Sequence, residues 1–480
     1  MPRHKRIHIT LTDGRISRII LGFSILAFIG YFIFAAFLRH DNYFSLRLDL
    51  GNMDQTVWNV LHGNGFTLTD PMGTAQESRL AVHADFMLIL LAPFYLIWSN
   101  PKMLLIIQTI VLALGAIPLY LLARKVLRNN FVASLFGVAY LLYPTVQLNT
   151  LHDFHATSIT TTCLLFAYWF FATENPVWFT VFAVLAALGK EQFWVIVAML
   201  GIAWALKPRF RTFGISFAVV SAAVATLLFW KFIPSVTPGK HYWALMYLSD
   251  YGGSIREILT AIAKHPWAAI ASAFARDRLF YYFQLLTPVS FLSLAAPITL
   301  IYALPNLGIN VLSNNSLMRM IDYQYTSGIT PWIFISAIYG FAAISKWVPT
   351  KILSGVVAVC VVVSVYAWGE LPVGPHSRFW FFHTIQPEKV TMDAVAASIP
   401  TKASVSATNN IGAHFSERQF LYTYPINADK ADYDVILLGD QYAWPSGDEQ
   451  GRVLHVLLAD KNYTVIAQND NFYAFKRIAK

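Results

Sequence analysis

Long apolar runs recur along the first 370 or so residues, at roughly 16–38, 103–123, 131–148, 157–173, 176–189, 192–206, 212–233, 279–312, 328–346 and 351–368. A helix of about 20 apolar residues crosses the hydrocarbon of a bilayer, and backbone polar groups there must be satisfied within the segment. A chain carrying so many such runs has little choice but to fold as a polytopic all-α membrane protein. Only 13% of the residues are charged. A soluble domain carries about 25%, so too little polar surface remains to cover a particle of this size in water.

Short clusters of Lys and Arg set the orientation. Arg124–Lys125–Arg128, Lys207–Arg209–Arg211 and Lys346–Lys351 lie between apolar runs and are expected in the cytoplasm, as is the basic N-terminus, residues 1–15. The net charge of +9 is spread over these clusters, which argues for topology signals and anionic lipid rather than nucleic acid. The first run is too long for a signal-peptide core and no small-residue cleavage site follows it. Charge parity places residues 84–99 in the outer interface or in a re-entrant loop, and 279–312 as a tight hairpin. The expected plan has about eleven spans in a plasma (inner) membrane, with the N-terminus inside and the C-terminus outside. The transmembrane domain covers 16–369, with a large first outer loop at 39–102. In 370–480 the segments VSATNN, DVILLG, YTVIA and FYAFK read as strands, and 387–398 and 448–460 as helices. A small extracytoplasmic α/β domain follows from that pattern. No G-x-G-x-x-G or Walker sequence accompanies it. Cys163 and Cys360 both sit in apolar runs, which excludes a disulfide framework.

This topology puts the unusual polar residues on the outer face. Asp49 and Asp54 stand in the first outer loop. A carboxylate near a membrane is costly to ionise unless paired, and in a cleft it serves as a general base; in the open it is an ordinary loop carboxylate. Glu77, Arg79, His83 and Asp85 precede an apolar stretch, as a binding group or as a polar rim. His152, Asp153 and His155 are the most metal-like constellation, with His152 and His155 sharing a face if helical; a structural hydrogen-bond knot accounts for them equally. Lys190–Glu191 interrupts two apolar runs, where Lys190 can meet a phosphate as a point charge or lie in a simple turn. Arg276 and Arg278 read as interfacial anchors. Arg319, with Asp322-Tyr323-Gln324-Tyr325, has the polar and aromatic character of a sugar site.

The runs DLGNMDQTVWNVLHGNG, HADFMLILLAPFYL, LGAIPLYLLARKVL, LLYPTVQLNTLHDFHA, LGKEQFW and SATNNIGAHFSER resemble those of a bacterial and archaeal family of predicted membrane proteins defined as a domain of unknown function. The resemblance covers nearly the whole chain. That family is similar in overall plan to the GT-C glycosyltransferases, which use polyprenyl-phosphate sugars. The resemblance implies a GT-C-like fold and transfer of a hexosyl or pentosyl group from a polyprenyl-phosphate donor to an acceptor on the outer face. It places Asp49 where those enzymes carry an acidic residue that holds or deprotonates the acceptor, with Asp54 in reserve. The residue after Asp49 is Leu50, not the acidic partner usual there. Because the remaining polar groups share the predicted outer face, Lys190 and Arg319 are expected at phosphate, Tyr323, Gln324 and Tyr325 at sugar, His83, Asp85 and Glu191 in the substrate site, and His152, Asp153 and His155 shaping the site or holding a divalent cation such as Mg or Mn. Two other classes fit the pattern: a transporter or flippase of a lipid-linked or polar solute, and a non-catalytic membrane scaffold. No internal repeat of the kind common in transporters is present.

Overall fold

The computed structural model describes residues 11–70, 72–237, 242–439 and 445–478. Among these, four helices are long and apolar enough to cross a membrane: Gly14–Asp41, Pro101–Leu127, Pro208–Val236 and Thr350–Trp368. A fifth is Asn130–Leu141 with Pro144–Leu151, bent by 42°. The bend falls at Pro144, whose ring cannot continue the preceding helix. Shorter apolar helices complete the bundle, among them Ala156–Ala172, Pro176–Ala187, Phe193–Ala205 and Thr330–Ile344. The central span Pro101–Leu127 has 67% of its apolar window buried inside the protein, against 33% for Gly14–Asp41. The latter turns Phe23 and Leu26 outward, as a lipid-facing helix must.

Local chemistry accounts for the connections. Asn129 accepts the backbone N–H groups of Phe131 and Val132 and caps the next helix, while Arg128 ends the previous one with φ +52°. Met87–Leu96 is a ten-residue apolar helix, about 15 Å long and too short to cross. Within 279–312 the chain reverses at Ser290 and Phe291, both with positive φ. The expected hairpin is there, built from a helix at Arg276–Leu286 and a tighter one leading into Leu304–Leu312.

The C-terminal region forms a five-stranded mixed sheet. Strands β1 (Thr67–Thr69) and β2 (Gln76–Ser78) make a separate antiparallel hairpin in the first loop. The sheet itself comprises β3 (Val405–Ala407), β4 (Leu421–Thr423), β5 (Tyr433–Leu437), β6 (Tyr463–Asn469) and β7 (Phe472–Arg477), in the order β4-β3-β5-β7-β6. β3 runs parallel to β4 and β5, and β7 antiparallel to β5 and β6. Strand β4 was not among the strands read from the sequence.

The two ends of the bundle differ. At one, Gly14 lies against Asn130, beside the basic turn at Arg124–Arg128. At the other, Lys102 pairs with Asp41 at 2.6 Å, and His414 of the C-terminal unit reaches the His40 carbonyl at 3.0 Å. The sheet unit therefore sits on the same end as the first loop.

Candidate active site

The first loop leaves its helix as a five-residue π-turn, Arg47–Gly51, which runs directly into the helix Asn52–Leu61. Asp49 stands at the centre of this i to i+5 turn, and such turns recur at functional sites. Asp49 borders a cavity of about 370 Å³. Its side chain keeps 28% exposure, and one carboxylate oxygen lies 3.3 Å from His155 Nε2. His155 Nδ1 is 2.9 Å from the Asp153 carbonyl oxygen. The ring thus bridges the Asp49 carboxylate and the Asp153 backbone. Burial by itself would raise the Asp49 carboxyl, but the His155 hydrogen bond and the neighbouring imidazoles hold it below the usual carboxylate range.

Across the cavity lies a charged wall. Glu191 is buried and accepts three donors: the Ala84 N–H at 3.0 Å, the Tyr242 hydroxyl at 2.5 Å and His83 Nδ1 at 3.2 Å. Burial opposes its ionisation, yet these donors and Lys190 hold it far below its ordinary range. His83 is pushed down to about 4 by burial and by Lys190, so it stands neutral at pH 7. Arg79 and Asp85 form a buried two-pronged pair, Nε to Oδ1 at 2.9 Å and Nη2 to Oδ2 at 2.6 Å. Lys190 lines the same cavity, and its ammonium has no hydrogen-bond partner among the described residues. Desolvation lowers its ammonium, and Glu191 and Asp85 draw it back up in part. Arg79, Asp85 and Glu191 on this wall are each matched by a hydrogen-bonded partner, which the Lys190 ammonium is not among the described residues.

Asp49, His83, Asp85, His155, Lys190, Glu191, Gln324 and Tyr325 thus share one cavity. Arg79 lines it too, whereas Asp54, Asp153 and Arg319 do not. Asp54 is fully buried, where it accepts from the Tyr95 hydroxyl and, at 2.7 Å, from the Ser416 hydroxyl. Burial and nearby Glu417 raise its carboxyl well above the ordinary range. Asp153 is spent on the Arg39 guanidinium and the Leu46 N–H. It therefore does not converge with His152 and His155 on a point where a cation could sit, and His152 instead meets Tyr323 edge-on with ring centres 5.1 Å apart. Among the described residues no group of three or more His, Cys, Asp or Glu side chains is arranged to hold a metal. Arg319 is held by Asp277 at 3.0 Å and the Ser313 carbonyl at 2.6 Å. Its partner Asp277, from a run read as an interfacial anchor, makes it a surface brace.

Sequence reasoning passed over Tyr242, Trp243, Tyr247, Asn306 and Asn310, which also line the cavity. Asn306 and Asn310 had a readable signal. Two amides four residues apart inside an apolar run share one helix face, and polar groups at such depth mark functional positions.

The family described as "Predicted membrane protein (DUF2079)" matches residues 39–473. The fold is shared with ArnT from Cupriavidus metallidurans. Its crystal structure bound to undecaprenyl phosphate superposes with a TM-score of 0.53 at 10% identity, over 94% of this chain and 97% of that one. The apo structure of the same protein gives 0.53 at 9% identity over the same shares. This is the GT-C-like architecture that the resemblance implied. No curated protein matches the sequence. By the extent of the family match, the chain belongs to the DUF2079 family of membrane proteins.

Proposed function

We propose that this DUF2079 family member transfers a glycosyl group from a polyprenyl-phosphate donor to an acceptor at the outer membrane face. One observation carries the reading: a single cavity at the sheet-bearing end of the bundle holds an ionised, partly exposed Asp49 and an unmatched Lys190. The likeness to ArnT, whose crystal structure holds undecaprenyl phosphate, supports it. So does the cavity's apolar side, where Phe229, Leu245, Leu248 and Ile309 offer an isoprenoid chain a dry surface.

The chemistry follows from the charges. Asp49 takes the proton from the acceptor's nucleophilic group, which forms a bond to the anomeric carbon. The bond from that carbon to the phosphate oxygen breaks, and the electron pair leaves with the phosphate. Lys190 stabilises the charge that grows on the departing group. Trp243, Gln324 and Tyr325 face the sugar. The His152, Asp153 and His155 set does not fit a divalent cation, so no step passes through one. The basic turn at Arg124–Arg128 lies at the far end of the bundle, which orients the cavity and the sheet unit outward.

The test offers purified protein in lipid a panel of radiolabelled polyprenyl-phosphate sugars, with a divalent cation or a chelator, beside Asp49→Asn. Consumption of one donor by the wild type alone is expected. Equal consumption by both proteins would remove Asp49 from its role, and no turnover of any donor would turn the reading toward transport.

A further inference from the structure

The C-terminal motif SATNNIGAHFSER contributes no residue to the lining of the cavity. In the fold it lies against the turn that carries Asp49. Asn409 is 4% exposed and is the second residue after β3. Its side-chain oxygen accepts the Leu48 N–H at 3.0 Å, and its backbone carbonyl accepts the Arg47 N–H at 2.8 Å. The two amides just before Asp49 thus hang from one residue that lies 360 positions later in the chain. Those amides stand at the start of a π-turn, where the first N–H groups of a helix have no partner of their own.

The surroundings make the attachment stiff. Asn409 sits in a turn closed by the Ile411 and Gly412 N–H groups on the Thr408 carbonyl, at 3.2 and 3.0 Å. Gly412 touches the Arg47 side chain so closely that a Cβ there would lie 2.6 Å from the Arg47 Cβ. The Arg47 guanidinium is fully buried and donates to the Leu421 carbonyl at 2.8 Å and to the Asp70 carbonyl at 3.0 Å. Gln55 and Ser416 add further bonds across the same seam.

We infer that Asn409 is a positioning residue: through the Arg47 and Leu48 amides it sets where the Asp49 carboxylate stands in the cavity. The inference rests on the role given to Asp49 above, and it goes beyond it by giving the C-terminal sheet a task in the reaction. Catalytic groups must be held within a fraction of an ångström, and a displacement near 1 Å costs up to about a hundredfold in rate.

The experiment measures hydrogen exchange over residues 47–51 in lipid nanodiscs, together with kcat and KM. Asn409→Ala is set beside Asn410→Ala, whose side chain donates to the Leu437 carbonyl within the sheet unit and, among the described residues, bonds nothing in the Asp49 turn. Asn409→Ala is expected to speed exchange at 47–51 about tenfold or more and to lower kcat about ten- to a hundredfold, with KM within about twofold. Asn410→Ala should do neither. Asn409→Asp keeps an acceptor for the Leu48 N–H and should recover much of the protection. Gly412→Ala pushes on Arg47 without deleting a hydrogen bond and should loosen the same peptide. Unchanged protection in Asn409→Ala, or equal loosening in Asn410→Ala, would overturn the positioning role. So would loss of the fold in both Asn409→Ala and Gly412→Ala. Local loosening in a protein whose wild type transfers no sugar would leave Asn409 as the holder of the turn and refute the glycosyltransfer reading alone.

Discussion

Asp49 and Asp54 lie five residues apart in one loop, and nothing local in the sequence separates them. The fold gives them opposite characters. Asp49 faces the cavity from a π-turn, paired with His155, and is kept ionised. Asp54 is sealed between Tyr95 and Ser416, beside Glu417, and burial raises its carboxyl well above the ordinary range. The difference teaches that a carboxyl's task follows from the donors and the water around it. In the proposed reaction Asp49 is the group that takes the proton. Asp54 is a hydrogen-bonding pin that holds the C-terminal unit to the loop.

The largest effect expected from this contrast is on transfer. Asp49→Asn should lower kcat by about a hundredfold to ten-thousandfold, the usual worth of a general base, without lowering the melting temperature. Asp54→Asn should stay within about threefold of wild-type activity. Steady-state kinetics on both variants checks the pair, and the reverse ranking would exchange the two roles.

Arg79→Leu should come next, through stability. It leaves Asp85 buried without its cation, at a cost of about 3–5 kcal/mol. Thermal or denaturant unfolding in detergent reads the loss. A variant as stable as wild type would mean that Arg79, and not Lys190, is the wall's spare charge.

Lys190→Gln should raise the donor KM about tenfold, the equivalent of one charge-assisted bond, with a smaller change in stability than Arg79→Leu. The side chain gives up no internal hydrogen bond. Titrating the donor against initial rate measures it.

The smallest effect concerns pH. The Asp54 carboxyl is raised in the fold above its unfolded value of about 3.9. Its contribution to stability is then full below that value and is lost as pH rises through the folded one. Asp49 has the opposite sign: its lowered carboxyl stabilises above the unfolded value and ceases to as pH falls through the folded one. Melting temperature followed from acid to mildly alkaline pH should therefore fall more steeply for wild type than for Asp54→Asn. Parallel curves would show that Asp54 is ionised in the fold.

Much of the architecture was legible because it rests on local properties. Run length and charge density report the solvent that a segment must face, so the apolar helices, the short segment before Pro101 and the strand-bearing tail could be read along the chain. The same reading found Asp49, Lys190 and His155 as residues too polar for their neighbourhood. It could not rank them. Whether Asp153 joins a metal or a guanidinium depends on Arg39, 114 positions away. Whether Glu191 is free depends on His83, Ala84 and Tyr242.

By itself the sequence determined that this chain lives in a bilayer, that its helices bundle, and that its tail leaves the bundle as a sheet, because hydrophobic and backbone hydrogen-bond requirements act over a few neighbouring residues. Only the tertiary structure decided which acid meets the cavity, which cation lacks a partner, and that Asn409 holds the turn of Asp49. Those outcomes are set by pairings between residues up to hundreds of positions apart, and no local pattern encodes which buried groups will satisfy one another.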